Sequence, residues 1–302
     1  MRPLGDYGSH CVQRSNLLVD ERHGGPSSGD PGSLAPGPAP NYPVSVTVTP
    51  RRSPRERHPI REIAGLPSPS SRPALAPGLR AGWVMPSASQ GSKTTWSPWA
   101  REYARTPERY VFGTAPSDFA LEVARLVRPG DYVLDLGCGE GRDCVFFAER
   151  GAAVFGVDLS EAGLAKARRL ARARGVRVRW VHGPVTGLLP TGPFDLIFSC
   201  GSLHYVARAQ RARLFARLRG MTRPGGHQAH LVFTADLVHE EKGEIVEYYR
   251  AGELREAFVN WQVLKQADHV ISCAQDGTVH GHAVEEIVAA RPVGPAPWPS
   301  ET

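Results

Sequence analysis

The chain has 302 residues, 41% of them hydrophobic, and a formal net charge of +6. No stretch approaches the roughly eighteen consecutive apolar residues of a membrane-spanning helix, and the N-terminus lacks the apolar core of a secretory leader. Five dispersed cysteines (Cys11, Cys138, Cys144, Cys200, Cys273) include no C-x-x-C pair. Neither a disulfide framework nor a metal site is therefore indicated, and a cytoplasmic location is expected.

Residues 1–92 read as a disordered tail rich in Pro, Gly and Arg. Stretches such as P-G-S-L-A-P-G-P-A-P and R-R-S-P-R-E-R-H-P cannot bury enough apolar surface to offset chain entropy. Met85 opens a more ordinary beginning and is a candidate start of translation. Residues 93–302 have the length and composition of one α/β domain with a full core.

The domain opens with Trp96-Ser97-Pro98-Trp99-Ala100-Arg101-Glu102-Tyr103, read as a short aromatic helix. Tyr110 to Phe119 reads as a loop that ends in a helix capped by Ser117, with Phe119, Val123 and Leu126 on one face. Aromatics this dense serve either as simple packing or as a lid over a cationic ligand.

From Tyr132 the sequence reads Y-V-L-D-L-G-C-G-E-G-R-D. A strand meets a loop of alternating glycines, Gly137, Gly139 and Gly141, and a helix follows that Gly151 closes. Alternating glycines let a ligand lie against bare main chain. A second strand, Ala152 to Asp158, ends in an acid about twenty residues beyond the loop, where a carboxylate can accept hydrogen bonds from ribose hydroxyls. A nicotinamide fingerprint is spaced G-x-G-x-x-G. Here the pattern is D-x-G-x-G-x-G, and Asp135 would repel a pyrophosphate but suits a ligand carrying an ammonium group.

Ser160 caps a helix to about Arg174, which Gly175 ends. A third strand spans Val176 to Val181, and the apolar run Phe194 to Cys200 suits a parallel strand covered on both faces. A helix from Gln210 to Met221 leads through Pro224-Gly225-Gly226 to a fifth strand near His227 to Phe233. Thr234 to Tyr249 is polar and irregular. A short helix at Gly252 to Phe258 precedes two strands, Trp261 to Ser272 and Val279 to Ala290, joined by the hairpin signal Asp276-Gly277. Two basic clusters stand out: Lys166 with Arg168, Arg169, Arg172, Arg174, Arg177 and Arg179, and Arg208 with Arg211, Arg213, Arg217, Arg219 and Arg223. Solvated helix faces are expected for both. RNA is the alternative partner, and no aromatic interleaving supports it.

The D-x-G-x-G-x-G motif with its distal acid resembles the first motif of the class I S-adenosylmethionine-dependent methyltransferases. W-x-x-x-Y, Y-V-F-G-T-x-P-S-D-F, P-G-G, G-E-L-R and D-G-x-x-H-G resemble the small-molecule branch related to tellurite-resistance and thiopurine methyltransferases. The resemblance implies a doubly wound, Rossmann-like sheet of seven strands in the order 3-2-1-4-5-7-6, mostly parallel with a C-terminal antiparallel hairpin. It implies S-adenosylmethionine as cofactor, with Asp135, Gly137, Cys138 and Gly139 at the methionine part, Asp158 and Leu159 at the ribose, and Tyr110, Val185 and Cys200 lining the site. Pro184 stands where many relatives have an acid for the adenine amino group, which leaves the Val185 backbone to read that edge. Arg142 is either a carboxylate partner or a solvated arginine.

Methyl transfer needs alignment more than acid–base chemistry. His204 and His280 are the candidate catalytic bases, and His282 shares a strand face with His280. For each histidine a hydrogen-bonded packing role is the favoured reading. The expected function is methyl transfer to a small molecule, a thiol, a chalcogen compound or a secondary metabolite, by a monomer or homodimer without a membrane. RNA methylation and non-catalytic cofactor binding are the alternatives.

Overall fold

The computed structural model describes residues 98–238, 246–273 and 279–294. The expected tail over residues 1–92, Trp96 and the Asp276-Gly277 turn lie outside them. The chain order is α1 (Pro98–Arg105), α2 (Asp118–Val123), β1 (Tyr132–Leu136), α3 (Arg142–Glu149), β2 (Ala153–Asp158), α4 (Glu161–Ala173), β3 (Val178–His182), β4 (Phe194–Cys200), α5 (Arg208–Met221), β5 (Thr222–Phe233), α6 (Glu253–Glu256), β6 (Gln262–Cys273) and β7 (His280–Ala290).

One seven-stranded sheet has the order β3-β2-β1-β4-β5-β7-β6. Strands β1 to β5 pair in parallel, and β7 runs antiparallel to both neighbours. The order and the hairpin are those implied by the resemblance. Side chains alternate between two apolar layers, as a pleated strand requires. Leu134, Leu136 and Ile197 enter one layer with Phe155, Phe194 and Leu218. Val133, Leu196 and Phe198 enter the other with Phe119, Phe147 and Val154. Burial on both faces explains why β4 reads as a continuous apolar run.

The helix ends follow the capping residues. Ser117 Oγ accepts from Ala120 N at 3.1 Å, and Ser160 Oγ accepts from Gly163 N at 3.1 Å. Gly151 and Gly175 adopt left-handed φ values of 85° and 68° just past α3 and α4, a conformation that costs glycine little. Strand β5 begins earlier than the apolar pattern suggests. Thr222 pairs with Phe194, and pairing resumes at His227 opposite Leu196. The Pro-Gly-Gly segment bulges out between them, since proline has no N–H to give the ladder.

Two basic residues are not on solvated faces. Lys166 and Arg211 are 2% and 3% exposed. Lys166 donates to Glu140 Oε1 at 2.8 Å, Arg109 O at 2.8 Å and Thr106 Oγ1 at 3.0 Å. Arg211 donates to Val206 O at 3.0 Å, Glu253 Oε1 at 2.8 Å and Glu247 O, and lies over the Tyr249 ring. Arg219 and Arg217 bond the carbonyls of Ala257 and Gly187, and Arg223 pairs with Asp195 at 2.6 Å. Much of the second cluster therefore ties neighbouring segments to α5, and Arg223 links β5 to β4. Composition shows a charge, but not the carbonyls that surround it.

Candidate active site

The glycine loop leaves the carboxyl end of β1 and enters α3. Gly137, Gly139 and Gly141 all have left-handed φ, at 72°, 52° and 82°. Space as well as φ demands glycine. A Cβ on Gly137 would lie 2.3 Å from Ser202 Cβ, and one on Gly139 would lie 2.8 Å from the Tyr103 hydroxyl oxygen. The loop is thus held between α1 and the segment after β4. Ser202 Oγ donates to Leu136 O at 2.6 Å, which fixes that segment over the end of β1.

Two acids bracket the loop. Asp158, at the end of β2, accepts from Gly139 N through Oδ2 and from Ser160 N through Oδ1, both at 2.7 Å. Each oxygen keeps a second acceptor direction for a ribose hydroxyl. Burial raises the Asp158 pKa, and the two backbone donors oppose that rise. Asp135 is buried at 3% exposure and accepts from Cys144 Sγ at 3.1 Å. Burial first, and neighbouring Asp143 second, push its carboxyl up to about 8. Without a cation beside it the group is mostly protonated at neutral pH. An arriving ammonium would restore the charge.

The two other acids of this region have structural work. Glu140 accepts from Val111 N at 2.8 Å and Phe112 N at 3.2 Å besides its bond from Lys166, so it anchors the Tyr110 segment to the loop. Asp143 accepts from Ser117 N at 2.7 Å and Ser117 Oγ at 2.9 Å and so holds the start of α2 on α3. Arg142 donates to Phe112 O at 3.2 Å and lies over the Phe112 ring. It braces the loop rather than standing in solvent.

The expected cofactor residues fall at this edge of the sheet, with different roles. Cys138 and Cys200 are half-buried thiols that burial pushes up to about 11 and about 12, so both act as apolar packing. Leu159 O accepts from His182 Nε2 at 2.9 Å. Val185 is half-buried against the core, within a turn in which Gly187 N donates to Pro184 O at 2.8 Å. Tyr110 donates its hydroxyl to Lys166 O at 3.1 Å and packs beside Arg169, so its visible task is to hold α4. Tyr103, not singled out as a cofactor residue from the sequence, is the aromatic that touches the loop, contacting Gly139 and Gly163. Burial, then the charges of Asp158 and Glu140, raise its pKa well above the ordinary value. Trp99 Nε1 donates to Tyr205 Oη at 2.6 Å and its ring meets Phe112 at 4.9 Å. Helix α1 therefore spans from the glycine loop to the segment after β4, in the position of a lid.

His204 is 1% exposed and stacks on Phe233 at 4.1 Å, with Tyr205 and Tyr248 on other sides. Burial first, then the charge of His282, hold its pKa well below the ordinary value. Nδ1 accepts from Phe233 N at 3.4 Å, and Nε2 has no hydrogen-bond partner. With Nδ1 accepting, the neutral ring carries its proton on Nε2. His280 lies beside His282, Nε2 to Nε2 at 3.0 Å.

The comparisons agree with this geometry. Residues 133–226 match the model of a methyltransferase domain family. Fold, glycine loop and family match are together similar to those of a class I S-adenosylmethionine-dependent methyltransferase domain. Ribosomal protein L11 methyltransferase of Thermus thermophilus is 39% identical over 122 residues, which cover 38% of this chain and 45% of that protein. Trans-aconitate 2-methyltransferase of Deinococcus radiodurans is 33% identical over 156 residues, covering 47% of this chain and 55% of that protein. The chain thus spans about half the length of these relatives. TehB from Haemophilus influenzae superposes with a TM-score of 0.54 at 18% identity, covering 59% of this chain and 63% of that one. At that identity the likeness is one of fold. Among the described residues no helix is long and apolar enough to cross a membrane.

Proposed function

We propose that this protein transfers a methyl group from S-adenosylmethionine to a small-molecule acceptor whose nucleophile arrives already deprotonated. The observation that carries the reading is the site itself: a bare glycine loop, a buried acid before it and a second acid at the end of β2, roofed by aromatics. Bound S-adenosylmethionine supplies a methyl carbon made electrophilic by the adjacent sulfonium. Asp158 would hold the ribose hydroxyls, and Asp135 with the loop backbone would hold the methionine ammonium and carboxylate. Tyr103 and Trp99 offer aromatic faces suited to a sulfonium and help to exclude water.

Among the described residues of this site we infer no free base. Tyr103 and Cys200 are held in their neutral forms by burial, and His204 is held as a neutral donor. The chain therefore aligns and desolvates the reactants, and ionisation is left to the acceptor. Thiols and chalcogen compounds meet that requirement, and so do carboxylates, the acceptor class suggested by the trans-aconitate relative. The test is transfer of labelled methyl from S-adenosylmethionine to a panel of thiols, tellurite, carboxylates, phenols, amines and RNA. Label appearing on thiol, tellurite or carboxylate supports the reading. Label confined to amines, phenols or RNA refutes it.

A further inference from the structure

Away from the glycine loop, the paired strands β6 and β7 bring together a cysteine and two histidines. Cys273 ends β6 and pairs directly with His280, the first residue of β7. His282 lies two residues on, on the same face as His280. The sulfur of Cys273 and one ring nitrogen of each histidine all lie within 4.8 Å of one another. Cys273 and His282 are 3% and 2% exposed, and His280 is half-buried. The spacing in sequence is C-x6-H-x-H, which no short zinc motif describes.

We propose that Cys273, His280 and His282 form a binding site for a zinc-class divalent cation. Zinc bonds imidazole nitrogen at about 2.0–2.1 Å and thiolate sulfur at about 2.3 Å, so tetrahedral ligands stand roughly 3.3–3.6 Å apart. The two histidine nitrogens are already 3.0 Å apart, and the sulfur is within rotamer reach of both. One thiolate and two imidazoles are soft to borderline donors that favour zinc over magnesium or calcium. Three protein ligands leave a fourth position for water or an added ligand. Binding exchanges the His280–His282 hydrogen bond for two metal–nitrogen bonds and releases the thiol proton to solvent.

Place in the fold adds weight. Strand β7 runs antiparallel, so its first residues lie at the carboxyl edge of the parallel strands, where Phe233 pairs with Val284. Phe233 stacks on His282 at 4.1 Å and on His204 at 4.1 Å. The cation would sit one aromatic ring from His204, with its ligands fixed on paired strands rather than on a loop. The proposal does not depend on methyl transfer.

The test is titration of chelator-treated full-length protein with Co(II) alone, followed by absorbance. One Co(II) per chain is expected, with a sulfur-to-cobalt charge-transfer band in the near ultraviolet and the visible bands of a four-coordinate ion. Zn(II) should bleach both. Cys273→Ala should remove the charge-transfer band, and His280→Ala and His282→Ala should each weaken binding more than about tenfold, since even outer partners of a metal site contribute 10–100-fold. S-adenosylmethionine affinity reports whether each variant is folded, and His280→Gln at the half-buried position serves if a buried variant is not. No charge-transfer band in the wild type, a band that survives Cys273→Ala, or unchanged affinity in the folded histidine variants would overturn the site.

Discussion

Asp135→Asn should separate stability from cofactor binding. Burial pushes the Asp135 carboxyl from 3.8 up to about 8. At pH 7 the unfolded chain carries this group ionised, while the folded, unliganded chain holds it protonated. The native state therefore binds more protons, and stability falls as pH rises from near 4 to about 8, then levels off. Between pH 4 and 7 the loss amounts to roughly 4 kcal/mol at 1.36 kcal/mol per unit, an upper bound for a group whose neighbours can relax. Asparagine is neutral at every pH and can still accept from Cys144. The variant should be more stable than wild type at pH 7 by about 2–4 kcal/mol, with a correspondingly smaller fall between pH 4 and 8. Its affinity for S-adenosylmethionine should fall tenfold or more, because a charge-assisted hydrogen bond contributes about 1.5–3 kcal/mol. Urea unfolding at pH 5, 7 and 9 measures the first effect and titration calorimetry the second. Wild-type binding at pH 7 should also release up to one proton, visible as a dependence of heat on buffer ionisation enthalpy. A variant that is less stable at pH 7 and binds the cofactor like wild type would refute the reasoning.

Asp158→Ala should cost about 2–4 kcal/mol in cofactor affinity by calorimetry, since it removes the ribose acceptor and frees the Gly139 N–H it holds. Equal affinities would remove the ribose assignment. Lys166→Met leaves the Glu140 carboxylate buried without its partner and should lower unfolding stability by about 3–5 kcal/mol. Adding Glu140→Gln should recover part of that loss, and a stable single variant would show that the pair is dispensable. On a thiol acceptor, His204→Phe should keep turnover within a few-fold, with the rate climbing as the thiol ionises near pKa 8.5. A collapse of about 10²–10⁴ would instead make His204 the base. Removing Met1 to Val84, a stretch poor in apolar periodicity, should leave the melting temperature and cofactor affinity unchanged. A fall of several degrees, measured by calorimetry, would show that the segment docks.

The elements of this domain were legible because their signals are local. Strand, glycine loop and helix at Tyr132 to Gly151 lie within a few turns of chain, and Ser117, Ser160, Gly151 and Gly175 mark their helix ends by short-range backbone chemistry. The distal acid Asp158 was legible because one βαβ unit fixes its distance from the loop. Strand order came from resemblance, since periodicity shows which face is apolar but not which strand is the neighbour. Tertiary structure alone decided what each charge and ring meets. Lys166 and Arg211 read as surface residues until Glu140 and Glu253 were seen beside them. Tyr103 rather than Tyr110 faces the glycine loop, because α1 crosses the carboxyl edge at that residue. His204 Nδ1 meets the backbone N–H of Phe233, 29 positions away in sequence. Cys273 read as one more dispersed cysteine until strand register set it opposite His280. Local sequence encodes the backbone's short-range choices, whereas a site is a meeting of side chains whose separation along the chain carries no signal of their distance in space.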